Sequence, residues 1–170
     1  SLKELDAAVD LINNAKKPLI VFGQGVILGE AEEEFKNFIE KTGIPAAWTI
    51  LGLSALPTAH PLNVGMVGMH GNYGPNVLTN ECDLLIAMGM RFDDRVTGDL
   101  NRYAKQAKII HFEIDPAEVN KNVTVDVAVM GNIKKTLPQI TDKVNKNNHE
   151  NWLKEFRKRD EIEYQTVIEK

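Results

Sequence analysis

Residues 83–98 read DLLIAMGMRFDDRVTG, and the interpretation of this stretch decides the fold class. Residues 84–88 form a continuous apolar run of the length a buried strand needs. Gly89 ends it. Four charged residues follow at once: Arg91, Asp93, Asp94 and Arg95. Charge is costly against the end of a buried strand, because a desolvated charge needs a partner. In an open α/β sheet, ligands bind in the loops at the carboxyl ends of the strands. The segment therefore marks the functional end of the molecule. Arginine suits an anionic, flat ligand, since its fork binds phosphate or carboxylate and its face stacks on rings. The competing reading is an ion-pair network that closes a loop. Exposed pairs of that kind contribute only ~0–1 kcal/mol, and the position straight after a strand and a glycine favours the ligand.

Outward from this stretch, strand-like and helix-like segments alternate. Residues 2–14 carry Leu2, Leu5, Ala8, Val9 and Ile12 at helical spacing. Residues 19–22 read as a short buried strand, broken by Gly23-Gln24-Gly25. Residues 30–42 predict an acidic amphipathic helix with Phe35, Phe38 and Ile39 on one face, ended by Gly43. A second strand is predicted over 44–50. Residues 51–74 are rich in Gly, Pro and His and predict one long loop, of a kind that is usually functional or disordered. Residues 74–80 fit a short helix. Residues 108–114 give a fourth strand, followed by a helix start at Asp115-Pro116. A fifth strand is predicted over 123–129, then a helix over 131–144 interrupted by Pro138. Residues 145–148 are polar and predicted flexible. Residues 152–168 predict a highly charged helix, peripheral to the core. This alternation predicts an α/β fold, a doubly wound and mostly parallel sheet with helices on both faces. Its crevice should be lined at residues 23–25, 49–50, 89–95, 113–115 and near Gly131.

The bulk numbers exclude several classes. The 170 residues are about one domain, and 43% hydrophobic content with 26% charge is ordinary for a globular chain. A net charge of -4 argues against nucleic acid as the main partner. No apolar run approaches the ~20 residues that span a bilayer. The single cysteine, Cys82, excludes an internal disulfide and predicts a reducing, cytoplasmic setting. The chain opens on Ser1, as expected of a segment excised from a longer polypeptide.

Four constellations could carry chemistry. Gly23, Gly25 and Gly29 follow the first strand, where glycines bring backbone N–H groups close to a pyrophosphate. Their GxGxxxG spacing is one residue longer than the dinucleotide fingerprint and fits a simple tight turn equally well. Met66-Val67-Gly68-Met69-His70-Gly71 offers soft methionine walls for a flat ring and a histidine donor. On composition alone, methionine as core filler is the favoured reading there. The residues 91–95 are the third constellation. Glu113, at the end of the fourth strand, could bind ribose hydroxyls or share a capping role with Asp115. There is no metal-ligand cluster with standard spacing, no nucleophile elbow and no P-loop. No residue stands out as a general base. The chain reads as able to bind a nucleotide and poorly equipped to do chemistry alone.

Three segments, GMVGMHGNYGPN, ECDLLIAMGMRFDDRVTG and AKIIHFEIDPAEVNKN, together resemble the central domain of the acetolactate synthase (acetohydroxyacid synthase) catalytic subunit. The likeness runs from about Lys17 to Leu137. This family consists of three-domain thiamine-diphosphate enzymes whose middle domain is Rossmann-like and binds FAD in a structural role. The resemblance implies residues 1–144 as that central domain, and 145–170 as a polar linker and charged helix leading towards a missing C-terminal domain. Thiamine diphosphate and Mg²⁺ would be bound by the absent domains, and no GDG motif is present here.

By resemblance, FAD lies along Gly23, Gln24 and Gly25, with Thr49 and Ile50. Val67, Gly68, Met69 and His70 match the stretch that lines the flavin. Gly89, Met90, Arg91, Phe92 and Asp93 match the next, with Arg91 nearest the cofactor. Glu113 and Ile114 match the strand end on the adenosine side, and Asn132 and Ile133 the last contact. Arg95 matches the arginine that holds the second 2-oxo acid's carboxylate, a task for a bidentate fork. Asp94 matches its neighbour in the substrate channel. The chain departs from the family at Gln24, usually glycine, and at Glu113 and Asn132, both usually aspartate.

The implied activity is that of a transferase in branched-chain amino acid biosynthesis. The whole enzyme would decarboxylate pyruvate and join the two-carbon unit to pyruvate or 2-oxobutyrate. It would be a homo-oligomer, with a small regulatory subunit as a further partner, and the isolated fragment would be inactive. Two other readings stay open at this point. One is the middle domain of a glyoxylate carboligase or oxo-acid decarboxylase; the other is a free-standing nucleotide-binding module.

Overall fold

Two apolar segments of five residues, Pro18–Phe22 (β1) and Leu84–Met88 (β4), lie side by side and are buried along their whole length. Continuous apolar runs of this kind are what a strand covered on both faces requires. The structure is a computed structural model that describes residues 2–49, 55–67, 75, 78–79, 81–90, 106–113 and 125–168. The described residues form five helices and one six-stranded sheet. The helices are α1 (Leu2–Asn14), α2 (Gln24–Leu28), α3 (Glu32–Thr42), α4 (Ile133–Lys143) and α5 (Glu150–Ile168). The remaining strands are β2 (Ala46–Trp48), β3 (Asn63–Met66), β5 (Lys108–Glu113) and β6 (Val127–Met130).

Every strand pair is parallel, in the order β3-β2-β1-β4-β5-β6. The chain builds outward from β1 to β3, then returns to the other side of β1 and builds outward again. The expected doubly wound sheet is therefore present, and its direction reverses between β1 and β4.

The two faces are covered differently. Ile20, Phe22, Ile86, Met88, Ile110 and Phe112 meet α1, α3 and α4 on one side. Phe22 and Phe35 hold β1 to α3, with ring centroids 4.7 Å apart. Leu19, Val21, Leu85, Ala87 and Ile109 meet Leu78, Cys82 and two side chains of α5 on the other.

Several expectations need correction. The stretch 51–74 is not one loop, because Asn63–Met66 adds an edge strand beside β2. Gly65 gave no strand signal, yet buried Asn63 fixes the entry by donating to the Leu56 and Pro57 carbonyls and accepting from Gly65 N. The second strand is shorter than 44–50. The helix predicted from residue 30 begins at Glu32, after a separate turn of helix, α2. The last strand begins at Val127, and α4 runs through Pro138 without interruption, at the loss of one backbone hydrogen bond.

The charged C-terminal helix is not peripheral at its start. Trp152 and Phe156 are buried against the sheet, and the Trp152 indole donates to the Pro18 carbonyl at 2.6 Å. The polar segment before it is docked as well. Asn145 N donates to Asn13 Oδ1 and Asn147 N to the Lys41 carbonyl. Gly43 (φ +67) ends α3 there, and a Cβ on it would lie 2.6 Å from Asn148 Cα.

Candidate functional site

At the reversal between β1 and β4, the two chain exits cross with no side chain between them. Gly23 N donates to the Met88 carbonyl at 3.0 Å, and Gly25 N to the Gly89 carbonyl at 2.6 Å. A Cβ on Gly23 would lie 2.9 Å from Gly89 O, and one on Gly25 2.6 Å from Gly89 Cα. Gly89 itself has φ +63, and a Cβ there would lie 2.5 Å from Val26 N. Three glycines are thus required by close approach, one of them also by its left-handed backbone. The N–H groups of Gly23 and Gly25 are spent on the carbonyls of Met88 and Gly89. Gln24, between them, is exposed.

The neighbouring strand ends are levelled by the same kind of backbone bond. Thr49 N donates to the Phe22 carbonyl and Val67 N to the Trp48 carbonyl. Residues 25, 49 and 67 are thereby brought to one end of the sheet, together with Gly89 and Met90. Val67 and Met90 have side chains in the core beneath. Glu113 ends β5 on the same edge.

On the far side, Asn132 follows the left-handed Gly131 and caps α4. Its Oδ1 accepts from Lys134 N at 3.0 Å, and Ile133 packs into the core. Gly29 lies beside Asn132, since a Cβ there would be 3.6 Å from Asn132 Oδ1. The end of α2 and the β6–α4 turn therefore close one side of the crevice.

Ile50, Gly68, Met69, His70, Arg91, Phe92, Asp93, Asp94, Arg95 and Ile114 lie outside the described residues. Their expected roles rest on the sequence.

Two polar groups at this end carried no sequence signal. His111 is wholly buried in β5, and its Nε2 lies 3.3 Å from the Met90 carbonyl. Trp48, the last residue of β2, has a buried indole N–H with no acceptor among the described residues. Both sit within apolar runs and read as core until the register is known. Only the departure from a purely aliphatic strand at His111 and Trp48 could have raised either.

Cys82 is buried, as expected of a structural thiol. Its Sγ donates to the Thr79 carbonyl at 3.2 Å, and burial foremost, with the Asp83 carboxylate, pushes its pKa up to about 12. Among the described residues there is no cluster of three or more potential metal ligands, and no helix is long and apolar enough to cross a membrane.

Comparison with known proteins bears on what this end of the sheet does. The family described as "Thiamine pyrophosphate enzyme, central domain" matches residues 5–140. A probable acetolactate synthase large subunit of Methanococcus aeolicus is 43% identical over 157 residues, covering 90% of this chain and 26% of that protein. A probable acetolactate synthase large subunit of Methanocaldococcus jannaschii is 46% identical over 134 residues, covering 79% and 23%. The acetolactate synthase large subunit of Corynebacterium glutamicum is 45% identical over 140 residues, covering 82% and 22%. The chain spans about a quarter of the length of these curated relatives.

Proposed function

Because the chain belongs to the thiamine pyrophosphate enzyme family, as its central domain, we propose that it is the middle domain of an acetolactate synthase large subunit and binds FAD across the carboxyl ends of its sheet. The observation that carries this reading is the glycine crossing at the reversal of a 3-2-1-4-5-6 sheet, the place where dinucleotides bind in this class.

The described residues fit such a ligand. The crossing clears side chains from the crevice floor, Gln24 and Thr49 offer polar groups on adjacent strand ends, and the Trp48 indole has a donor to spare. Because Gly23 and Gly25 spend their amides on Met88 and Gly89, the pyrophosphate charge is met chiefly by Arg91. Val67, Gly68, Met69 and His70 wall the flavin, Glu113 and Ile114 face the adenosine end, and Asn132 and Ile133 close it. Arg95 holds the carboxylate of the second 2-oxo acid as a bidentate pair, beside Asp94 in the channel.

Pyruvate and 2-oxobutyrate are the proposed substrates of the whole enzyme. Thiamine diphosphate and Mg²⁺ belong to its other domains, so this segment has no turnover by itself. Leu28 and Met130, exposed apolar side chains at the ends of α2 and β6, suit coverage by the rest of a homo-oligomeric enzyme with its regulatory subunit. A cytoplasmic setting suits the buried thiol.

The test is a pair of variants in the full-length enzyme. Arg91→Ala loses FAD on purification with little change in melting temperature. Arg95→Ala keeps FAD and fails to form acetolactate. An Arg91→Ala enzyme with the parent's FAD content overturns the cofactor site; an Arg95→Ala enzyme with the parent's product yield overturns the substrate role.

A further inference from the structure

We infer that His111 is a positioning residue: it holds the Met90 carbonyl and so sets the direction in which the chain leaves β4 towards Arg91 and Asp94. The consequence for FAD rests on the function proposed above; the positioning itself does not.

The register explains why an imidazole is accommodated here. Across the sheet, His111 is level with Ala87 of β4 on one side and Ala128 of β6 on the other. Two small neighbours leave room for a ring on that face. An aliphatic side chain would fill the same space without the desolvation that a fully buried polar ring incurs. What the histidine adds is its bond. A carbonyl can only accept, so Nε2 carries the proton and donates to Met90 O.

The bond lies where the sheet's own bonding stops. The β4–β5 ladder ends at the pair Met88 and Phe112, two residues before Met90. Beyond it, Gly89 turns in the left-handed region and its carbonyl accepts from Gly25 N. The next carbonyl, that of Met90, accepts from His111. Two successive carbonyls are therefore held from opposite sides, one by the β1 turn and one by β5. The side chain of Met90 is buried as well, at 4% exposure. The residue that follows is Arg91.

The experiment uses the full-length polypeptide that carries this chain, with His111→Gln, His111→Asn and His111→Leu. A glutamine amide reaches the place of Nε2, whereas an asparagine amide stops short. Hydrogen exchange is read without FAD over the peptides that cover the β4 exit, with peptides of β1 and α3 as internal controls, and FAD affinity is then titrated. Loss of one buried hydrogen bond predicts exchange about tenfold faster at the β4 exit in the Asn and Leu variants, unchanged in the controls, and FAD affinity about tenfold weaker. The Gln variant restores both. If the Leu variant does not fold, the Gln and Asn pair carries the test, since the two differ only in reach. Parent-like exchange at the β4 exit in the Asn variant overturns the positioning role. Faster exchange with parent-like FAD affinity upholds the positioning and overturns the placement of FAD at this crevice.

Discussion

The two tryptophans stand at opposite ends of the same sheet and are treated in opposite ways. Trp152 is buried at the amino end, where its N–H donates to the carbonyl of Pro18, the first residue of β1. Trp48 is the last residue of β2, and its buried N–H has no acceptor among the described residues. The difference extends to the β1–β4 pair between them. At the amino end, side chains tie strand to strand. The Asp83 carboxylate accepts from Lys16 N and Lys17 N, Asp126 accepts from Ile109 N, and Arg157 reaches the Pro61 carbonyl. At the carboxyl end, backbone meets backbone through glycines, and side chains are kept out of the crossing. At the β1–β4 crossing the closure depends on what the residues lack, with the His111 side chain holding the next carbonyl, that of Met90.

The sharpest way to break that contrast is to add a methyl group at the carboxyl end. Gly89→Ala places a Cβ 2.5 Å from Val26 N on a backbone at φ +63. Left-handed backbone costs an L-residue roughly 1–2 kcal/mol and overpacking about 1–3 kcal/mol more. The sum, about 2–5 kcal/mol, should appear as a lower urea midpoint. A loss under about 1 kcal/mol would mean that the crossing yields and is not held by close approach.

The tryptophans give the next test. Trp152→Phe keeps most of the ring but leaves the Pro18 carbonyl without its partner, a loss of about 1–3 kcal/mol. Trp48→Phe removes a donor that has no acceptor among the described residues, so the ligand-free protein should be unchanged or slightly more stable, within about 1 kcal/mol. Urea denaturation of the two variants reads the difference directly. Equal losses would erase the distinction between the ends. A Trp48→Phe protein that is as stable as the parent but retains less FAD would place the spare donor at the ligand.

What could be read in the sequence follows the same division. β1 and β4 were legible because strands buried on both faces are unbroken apolar runs, and α3 because Phe35, Phe38, Ile39 and the left-handed Gly43 mark its face and its end. The doubly wound class followed from the alternation. β3 was hidden, since an edge strand of four residues containing Asn63 and Gly65 carries no period, and its entry is fixed by the Asn63 amide. The start of α5 is hidden because two aromatic residues bury enough area to dock a helix whose other residues are mostly charged or polar. At the crevice, the glycine spacing fits a turn and a pyrophosphate contact equally well, and no local pattern reveals that the amides of Gly23 and Gly25 are spent on Met88 and Gly89, more than sixty residues away along the chain. His111 is the same case, a polar residue whose partner is set by register alone.

The smallest expected effect lies at the amino end and depends on pH. His149, just before α5, is partly buried near Asp83 and Lys16. Burial, the largest influence, lowers its pKa below the ordinary 6.5, against the raising pull of the Asp83 carboxylate and the Lys16 backbone. The unfolded chain therefore takes up the proton first as pH falls. The neutral histidine's full contribution is present above the ordinary pKa and is lost as pH drops from there to the lower folded value. His149→Asn should flatten the stability profile between about pH 7.5 and 5.5, a window mostly above carboxylate titration. Urea midpoints of parent and variant across that window measure it. If the parent instead gains stability relative to the variant as pH falls, the Asp83 carboxylate outweighs burial, and the amino end holds His149 as a cation in an ion pair.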